Sequence, residues 1–474
     1  MSYRVAVRAL CEFTAKRGDL DLRFTPSPTA LEGIAGHQEV AGRRGAGYQT
    51  EVPLSGDHRN LRVSGRADGY SAALGQVDEV KTYRGDLDLM PDNHRDLHWA
   101  QARIYGHLIC QRDGLSEIRV ALVYFNVVTQ KERVLVEVVT ADELRTDFEQ
   151  QCDLFIDWAE QELMHRGGRD RTLAALSFPH TDFRTGQRPL AEAAYKTAAV
   201  GSALMAQAPT GIGKTIGTLF PLLKAMPGQG LDKVFFLTAK TPGRRLALDA
   251  ARRLNEQADP EPIRVLELIA RDKACEHPDK ACHGESCPLA RGFYDRLPAA
   301  RQAAANAGWL DQLSLREIAR AHEICPYYLS QEMARWSDLV VADYNYYFDL
   351  SAMLYALTRG NDWRVAVLAD EAHNLVARAR GMYSAELDQR RLRAIRRTAP
   401  AALKKPLNGL HRHWNDLSAP AGGPLPDPDY EVRPLIPSSF LASLQRTVAA
   451  MTDHFTEHPF AIDSDLLRFY FDLV

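Results

Sequence analysis

The chain has 474 residues, of which 45% are hydrophobic and 25% charged, and its formal net charge is −3. This composition excludes a disordered chain, and the charge excludes a protein that is basic over its whole surface, so nucleic-acid binding would need local basic patches. MSYRVAVRAL has no signal-peptide core and no apolar run approaches the roughly 20 residues that cross a bilayer, so we expect a cytoplasmic protein without a membrane partner.

Residues 61–140 show the pattern strand, turn, strand, helix and hairpin. Strands are predicted in LRVSGRADGY, GQVDEVKTY, IRVALVYFNVVT and KERVLVEVVT, with a helix over Asp92–Arg112 between the two pairs. Thr140 and Glu143 have the spacing of a capping box and predict the start of a second, long helix. HRGGRDR at 165–171 is predicted to end this first domain.

Three charged residues stand out on the first two strands: Asp68, Glu79 and Lys81. Residues two apart on a strand point to the same face, so Glu79 and Lys81 should converge while Asp78 points away. A carboxylate pair can bind Mg²⁺ or Mn²⁺, and a nearby lysine can position the attacking water. A solvated strand with alternating charges would give the same pattern.

Three further residues extend this pattern. His37 lies in GIAGH, and Gln101 and Tyr105 lie one helical turn apart in QARIYGHL. Together the residues resemble RecB-like PD-(D/E)XK nucleases, whereas the alternatives are a core histidine and an ordinary amphipathic helix. The resemblance implies that Lys81 is catalytic and that Gln101 and Tyr105 contact DNA. The metal ligands that it implies are His37, Asp68, Glu79 and the carbonyl oxygen of Val80.

A glycine-rich loop, APTGIGKT at 208–215, follows a strand predicted in ALMAQA and precedes a predicted helix. In this context such a loop can wrap a phosphate chain, with Lys214 reaching the β and γ phosphates and Thr215 holding Mg²⁺. Ala208 replaces the usual first glycine, and a glycine turn without a ligand is the alternative. The predicted nucleotide-binding residues of this loop are Thr210, Gly211, Ile212, Gly213, Lys214 and Thr215.

A second motif, VLADEAH, favours the nucleotide-binding interpretation. It places Asp370 and Glu371 at the carboxyl end of a predicted strand, where ligands bind in parallel sheets. Asp370 suits the Mg²⁺ shell, and Glu371 is placed to activate water. The two motifs together predict ATP as a ligand.

The second motif, D-E-A-H, resembles the corresponding motif of superfamily-two helicases. The segment FLTAKTPGRRLALD resembles their DNA-backbone contact, and FRTGQ resembles their Q motif. The resemblance implies that Gln187 reads adenine and that His373 couples the nucleotide site to strand movement.

Four cysteines have the spacing C-x6-C-x4-C-x37-C, namely Cys275, Cys282, Cys287 and Cys325. Four thiolates can hold Zn²⁺ or an iron–sulfur cluster, and spacing alone does not separate the two. Cys-Pro steps and the lack of a C-x2-C pair favour iron–sulfur. The other three, Cys11, Cys110 and Cys152, are scattered and predict no second cluster.

The position of these cysteines between the two motifs, followed by DLVVADYNYYFD, resembles the XPD/DinG family of iron–sulfur DNA helicases over about 178–474. The resemblance implies a [4Fe-4S] cluster, 5′ to 3′ movement, and a helical arch that begins with the basic helix after Arg390. A loop, SAPAGGPLPDPD, follows that helix. No second motor domain is recognisable after Asp370, which predicts a truncated or split protein with weak unwinding activity.

We therefore expect an α/β protein with three parts. They are a nuclease-fold domain (1–172), a RecA-like domain (173–373) with an iron–sulfur insertion at about 268–335, and an incomplete helical arch (374–474). The function predicted is an ATP-dependent helicase and metal-dependent nuclease that acts on single-stranded or forked DNA in repair or replication. The alternatives are a nucleotide-sensing DNA-binding scaffold with an inactive nuclease and a zinc-bearing nucleotide switch.

Overall fold

The computed structural model describes residues 3–257, 262–418, 431–459 and 462–474. The strands in these ranges are β1 (Tyr3–Ala6), β2 (Tyr48–His58), β3 (Leu61–Ser71), β4 (Gln76–Tyr83), β5 (Glu117–Asn126), β6 (Glu132–Thr140), β7 (Lys233–Thr238), β8 (Val265–Glu267), β9 (Trp309–Leu310), β10 (Leu339–Asp343) and β11 (Val365–Asp370).

A 3₁₀ turn covers Leu87–Leu89. The α-helices are α1 (Val7–Thr14), α2 (Ala30–Gly42), α3 (Asp92–Asp113), α4 (Ala141–Ala175), α5 (Gln187–Val200), α6 (Lys214–Gln229), α7 (Thr241–Asn255), α8 (Arg271–Ala274), α9 (Phe293–Ala307), α10 (Gln312–Ala321), α11 (Pro326–Met333), α12 (Asn345–Phe348), α13 (Met353–Gly360), α14 (His373–Met382), α15 (Gln389–Thr398), α16 (Ala401–Ser418), α17 (Ser438–Glu457) and α18 (Ser464–Leu473). None of these helices is long and apolar enough to cross a membrane.

The chain divides into two compact units. Unit 1 comprises Met1–Arg23, Asp57–Val63 and Glu149–Ser384, and unit 2 comprises Phe24–Gly56, Ser64–Phe148 and Ala385–Val474. Each unit is thus assembled from three stretches of chain. The predicted domain boundaries near residues 172 and 373 stay predictions, and SAPAGGPLPDPD lies, after its first residue, outside the described residues.

The first sheet is mixed and has the strand order β1-β3-β4-β5-β6, with β2 paired to β3. The pair β4 and β5 is parallel and sets Lys81 opposite Tyr124, while β3 runs antiparallel to β4. Strand β5 is buried along nearly its whole length, as expected for a strand covered on both faces. Helix α3 packs against it and ends at Gly114, whose φ of 69° suits glycine.

The second sheet is parallel and has the order β11-β7-β10-β8-β9. All six residues of β7 are buried, and helices α6 and α7 contact this strand. A parallel sheet flanked by helices brings the carboxyl ends of its strands to one edge. This architecture, a parallel sheet with helices, fits the RecA-like fold predicted for this region.

The strand predicted in ALMAQA, before the phosphate loop, is wrong. Residues 203–208 have no regular secondary structure, and the side chain of Met205 is 98% exposed. The sheet ends at β11, whose residues are all half-buried. An apolar run forms a strand only when a neighbour supplies hydrogen bonds to its backbone, and within the described residues this run has none.

HRGGRDR, which was predicted to end the first domain, lies inside α4, and that domain boundary stays a prediction. A buried ion cluster holds this turn. Nε2 of His165 lies 2.8 Å from Oδ2 of Asp338, and Nη1 of Arg169 donates to Oδ1 of the same carboxylate at 2.9 Å. Burial raises the pKa of Asp338, but the hydrogen bond and charge of His165 and the charge of Arg169 hold it far below its usual range. These contacts offset the low helix propensity of the two glycines.

The helices at the carboxyl end of unit 2 share a separate apolar core. Leu392 of α15, Leu407 of α16, Met451 of α17 and Phe469 of α18 are buried together, and Phe24 packs against this cluster. The basic residues of α15 lie around this core, so the helix is amphipathic, with Leu392 and Ile395 buried.

Candidate functional site

The last two residues of the phosphate loop, Lys214 and Thr215, are the first two residues of α6. Gly211 and Gly213 have φ values of 86° and 80°, a region that favours glycine. The free N–H groups at the start of a helix attract anions, so the loop and α6 form a potential phosphate cradle. Of the other predicted loop residues, Thr210 is exposed, whereas Ile212 and Thr215 are half-buried.

The structure brings Lys214 of the loop together with the D-E-A-H residues at the end of β11. Nζ of Lys214 lies 3.1 Å from Oε1 of Glu371, and Nδ1 of His373 lies 3.3 Å from Oε2. Glu371 has a φ of 54°, which is uncommon for a residue other than glycine and turns its side chain at the strand end. Lys214, Glu371 and His373 therefore lie in one cluster, as their motifs predicted.

Asp370 lies beside this cluster and is opposite Thr238 of β7. Burial raises the pKa of the Asp370 carboxyl, the negative charge of Glu371 raises it further, and Lys214 opposes both. A divalent cation would remove this electrostatic cost, because it favours the ionised carboxylate. Magnesium binding by Asp370 stays a prediction.

Gln187 has a structural role that sequence reasoning missed. Its side chain is 2% exposed, its Nε2 donates to the carbonyl of Gly213 at 3.0 Å, and its Oε1 accepts from the backbone of Arg184 at 3.0 Å. Both ends of the amide are therefore bound to the protein. A Cβ atom on Gly213 would lie 2.4 Å from Nε2 of Gln187, so this glutamine fixes the shape of the loop. Adenine recognition by Gln187 stays a prediction.

The four clustered cysteines are half-buried and influence one another electrostatically. Burial raises the pKa of Cys325 to about 11, with Cys275 and Cys282 adding to the rise. Burial also raises the pKa of Cys282, which Cys275 and Cys287 raise further and Arg271 opposes. A thiolate at any of these positions would thus raise the pKa of another, and thiolates suit a soft metal or an iron–sulfur cluster. Within the described ranges, no three His, Cys, Asp or Glu side chains are arranged closely enough to hold a metal ion.

A segment near the amino terminus binds along the cysteine-bearing loop, and no sequence pattern predicted it. We name residues 18–23 the N-terminal strap. The backbone N–H groups of Leu20 and Leu22 donate to the carbonyls of Ala290 and Cys282, both at 2.9 Å. Oδ1 of Asp19 accepts from the backbone of Gly292 at 2.7 Å. The strap therefore pairs with the cysteine loop over several residues.

The predicted nuclease residues of unit 2 also converge. Nδ1 of His37 lies 3.7 Å from Oδ1 of Asp68, and Nζ of Lys81 lies 2.5 Å from Oε1 of Glu79. The other oxygen of Asp68 accepts from the backbone N–H of Val80 at 2.7 Å. Burial raises the pKa of Asp68, although Lys81 and His37 oppose this rise. The contacts thus form two pairs, His37 of α2 with Asp68 of β3 and Lys81 with Glu79 on β4, and the hydrogen bond from Val80 to Asp68 joins the two strands between them.

Two other predictions concern residues near this cluster. Asp78 points away from it, as the strand alternation predicted, because its carboxylate accepts from the Tyr48 hydroxyl at 2.9 Å. Gln101 and Tyr105 of α3 are 7% and 8% exposed. Their contact with DNA stays a prediction, since both side chains are buried in this structure.

Comparison with known proteins bears on the second half of the chain. Residues 253–392 match the DEAD_2 family model. This range contains all four clustered cysteines together with Asp370 and Glu371. It lies outside residues 1–172, whose nuclease interpretation stays a prediction.

The chain is also similar to two curated proteins named regulator of telomere elongation helicase 1 homolog. The Anopheles gambiae protein is 30% identical over 127 residues, which is 24% of this chain and 12% of that protein. The Culex quinquefasciatus protein is 26% identical over 129 residues, which is 24% and 13%. This chain therefore spans only a small part of the relatives it matches.

The chain is also similar to a solved structure of an XPD helicase, with 16% identity and a TM-score of 0.37. The match covers 61% of this chain and 51% of the XPD chain. The family match and the two curated relatives support a superfamily-two helicase of the XPD/DinG type in the region they cover.

The geometry of the phosphate loop predicts the effect of a single methyl group. Gly213→Ala would place Cβ against Gln187 at a positive φ, so we expect nucleotide affinity to fall by about tenfold or more. Gly228→Ala in the same helix, α6, is the control, because nothing lies within 4 Å of its added Cβ. Binding of a fluorescent ATP analogue measures both variants. Equal affinity in the two would contradict the tight fit around Gly213.

We predict that a substitution in the N-terminal strap, far in sequence from the cysteines, lowers the stability of the cysteine-bearing loop. Asp19→Ala removes the acceptor of the Gly292 N–H, so unfolding should become easier by about 1–3 kcal/mol. Trypsin should also cut faster at Lys280 and Arg291. Asp57→Ala, at an exposed carboxylate of unit 1, is the control and should change neither property. Unchanged cleavage in Asp19→Ala would show that the strap does not brace the loop.

Proposed function

We propose that unit 1 carries the ATP-hydrolysing domain of an iron–sulfur DNA helicase, which acts on single-stranded or forked DNA and moves 5′ to 3′. The observation that carries this proposal is the meeting of Lys214, Asp370 and Glu371 at the carboxyl edge of a parallel sheet. The DEAD_2 match over residues 253–392, which contain Asp370 and Glu371, supports it. The direction of movement rests on the family resemblance.

The ion pair between Lys214 and Glu371 provides a mechanism for coupling ATP binding to catalysis. Negatively charged phosphates compete with the Glu371 carboxylate for the ammonium group of Lys214. When Lys214 turns to the phosphates, Glu371 is released and can accept a hydrogen bond from the attacking water. Asp370 would hold Mg²⁺, which would neutralise charge on the transferred phosphoryl group. His373, beside Glu371, can sense this change.

We further propose that the four clustered cysteines hold a [4Fe-4S] cluster. The raised pKa values of Cys282 and Cys325 reflect burial together with mutual repulsion of thiolate charge, which supports this proposal. Iron binding would stabilise the thiolates and bring the ligands into a closed arrangement. Arg271, which faces Cys282, would offset part of the cluster's negative charge.

A second function, metal-dependent cleavage of DNA, is proposed for unit 2. It is favoured by the contacts of His37 with Asp68 and of Lys81 with Glu79. These four residues are spread over 45 positions of sequence. The carboxylates and the imidazole would hold Mg²⁺ or Mn²⁺, and the metal supplies a more acidic bound water. Lys81 is placed to orient that water or to stabilise charge on the phosphate.

The ATPase assignment predicts that Glu371 is needed for turnover and not for binding. Glu371→Gln should lower ATP hydrolysis in the presence of single-stranded DNA by about 100-fold, because the amide cannot accept a proton. It should bind ATP at least as well as the wild type, since Lys214 loses a competing partner. The control is Glu317→Gln, at an exposed position of α10. Wild-type turnover in Glu371→Gln would rule out this role.

The nuclease assignment predicts that Lys81→Ala abolishes Mn²⁺-dependent cleavage of single-stranded or flapped DNA, with a loss of about 100-fold or more. ATP hydrolysis should remain, since Lys81 belongs to the other unit. Lys131→Ala, at an exposed lysine, is the control and should cut normally. A scaffold without catalytic activity would give no cleavage in any of these proteins, wild type included.

A further inference from the structure

The first turns of α3 lie beside the candidate nuclease site. The parallel pairing of β4 and β5 sets Lys81 opposite Tyr124, so their side chains stand on the same face of the sheet. Tyr124 is fully buried, and its hydroxyl lies 2.9 Å from Nδ1 of His98 on α3. The amino-terminal half of α3 therefore packs on the face of the sheet that carries Lys81.

Arg95 lies one helical turn before His98 and is directed to the same tyrosine. Burial raises the pKa of Tyr124 to about 12, and the charge of Arg95 and its hydrogen bond with the hydroxyl oppose this rise. The charge of Glu79 raises the pKa of Tyr124 slightly, so both the candidate site and Arg95 act electrostatically on this tyrosine. The hydroxyl of Tyr124 thus links Arg95 and His98 to the neighbourhood of Lys81.

The guanidinium of Arg95 is incompletely satisfied. Its Nε is buried and has no hydrogen-bond partner within the described part of the chain. A buried guanidinium N–H without an acceptor is costly, and such groups usually bind something. His98 does not compete as a cation, because burial, with Lys81 adding, lowers its pKa to about 3. The half-buried Arg95 is therefore the cation that α3 brings next to Tyr124.

Two cationic side chains, Lys81 and Arg95, therefore flank Tyr124. The planar guanidinium presents paired donors that match the two non-bridging oxygens of a phosphodiester. We propose that Arg95, positioned by Tyr124 and His98, binds a backbone phosphate of the nucleic-acid strand beside Lys81. This inference rests on the proposed nuclease function and adds a substrate-binding residue to it.

The test measures affinity of the full chain for a labelled single-stranded oligonucleotide in Ca²⁺ without ATP, over a series of salt concentrations. Arg95→Gln should weaken binding by about tenfold and lower the slope of log K against log salt by about 1. Arg95→Lys should restore the slope and only part of the affinity, since an ammonium lacks the paired donors. Arg112→Gln, on the same helix and paired with Asp113, is the matched control and should bind as the wild type does.

Cleavage kinetics in Mn²⁺ and thermal unfolding separate substrate binding from a structural role. Arg95→Gln should raise KM with little change in kcat, and its melting temperature should stay at or above that of the wild type. An unchanged salt slope and KM would overturn the proposal, and so would a loss of binding that follows a loss of stability. If the wild type does not cleave but Arg95→Gln still lowers the salt slope, the phosphate site stands and the nuclease function fails.

Discussion

The ion pair between Lys214 and Glu371 is the contact on which the ATPase interpretation of unit 1 depends. It joins the start of α6 to the end of β11, two elements whose sequences are 157 residues apart. The parallel register of β11 with β7 puts Asp370 beside Thr238. A Cβ atom added to Gly243 would lie 3.4 Å from the Asp370 carboxylate. The start of α7 therefore reaches the same crevice, so nucleotide chemistry and the predicted DNA-backbone segment share one edge of the sheet.

The two candidate sites have a common electrostatic design. In each, a lysine is paired with a glutamate, Lys214 with Glu371 at 3.1 Å and Lys81 with Glu79 at 2.5 Å. In each, burial raises the pKa of a neighbouring aspartate that would favour a divalent cation. A bound phosphate would replace the glutamate as the partner of each lysine, and a bound metal ion would stabilise the ionised carboxylates.

Local sequence predicted those features that depend on local chemistry. Apolar periodicity placed the helix at Asp92–Arg112, close to the observed Asp92–Asp113, and motif spacing anticipated the cluster around Lys214. The errors concern segments whose state depends on distant partners. Residues 203–208 lack the neighbouring strand that their pattern requires. The strap on the cysteine loop was missed for the same reason, since backbone pairing leaves little sequence signal.

The central claim is that one chain carries two separate ligand sites, a nucleotide site in unit 1 and a divalent-metal site in unit 2. Hydrogen–deuterium exchange on the whole protein tests it most directly. ATP with Mg²⁺ should slow exchange in residues 209–218, while Mn²⁺ alone should slow exchange around Asp68 and Glu79 and leave the phosphate loop unchanged. Protection of only one region by both ligands, or of neither region by its own ligand, would contradict the claim.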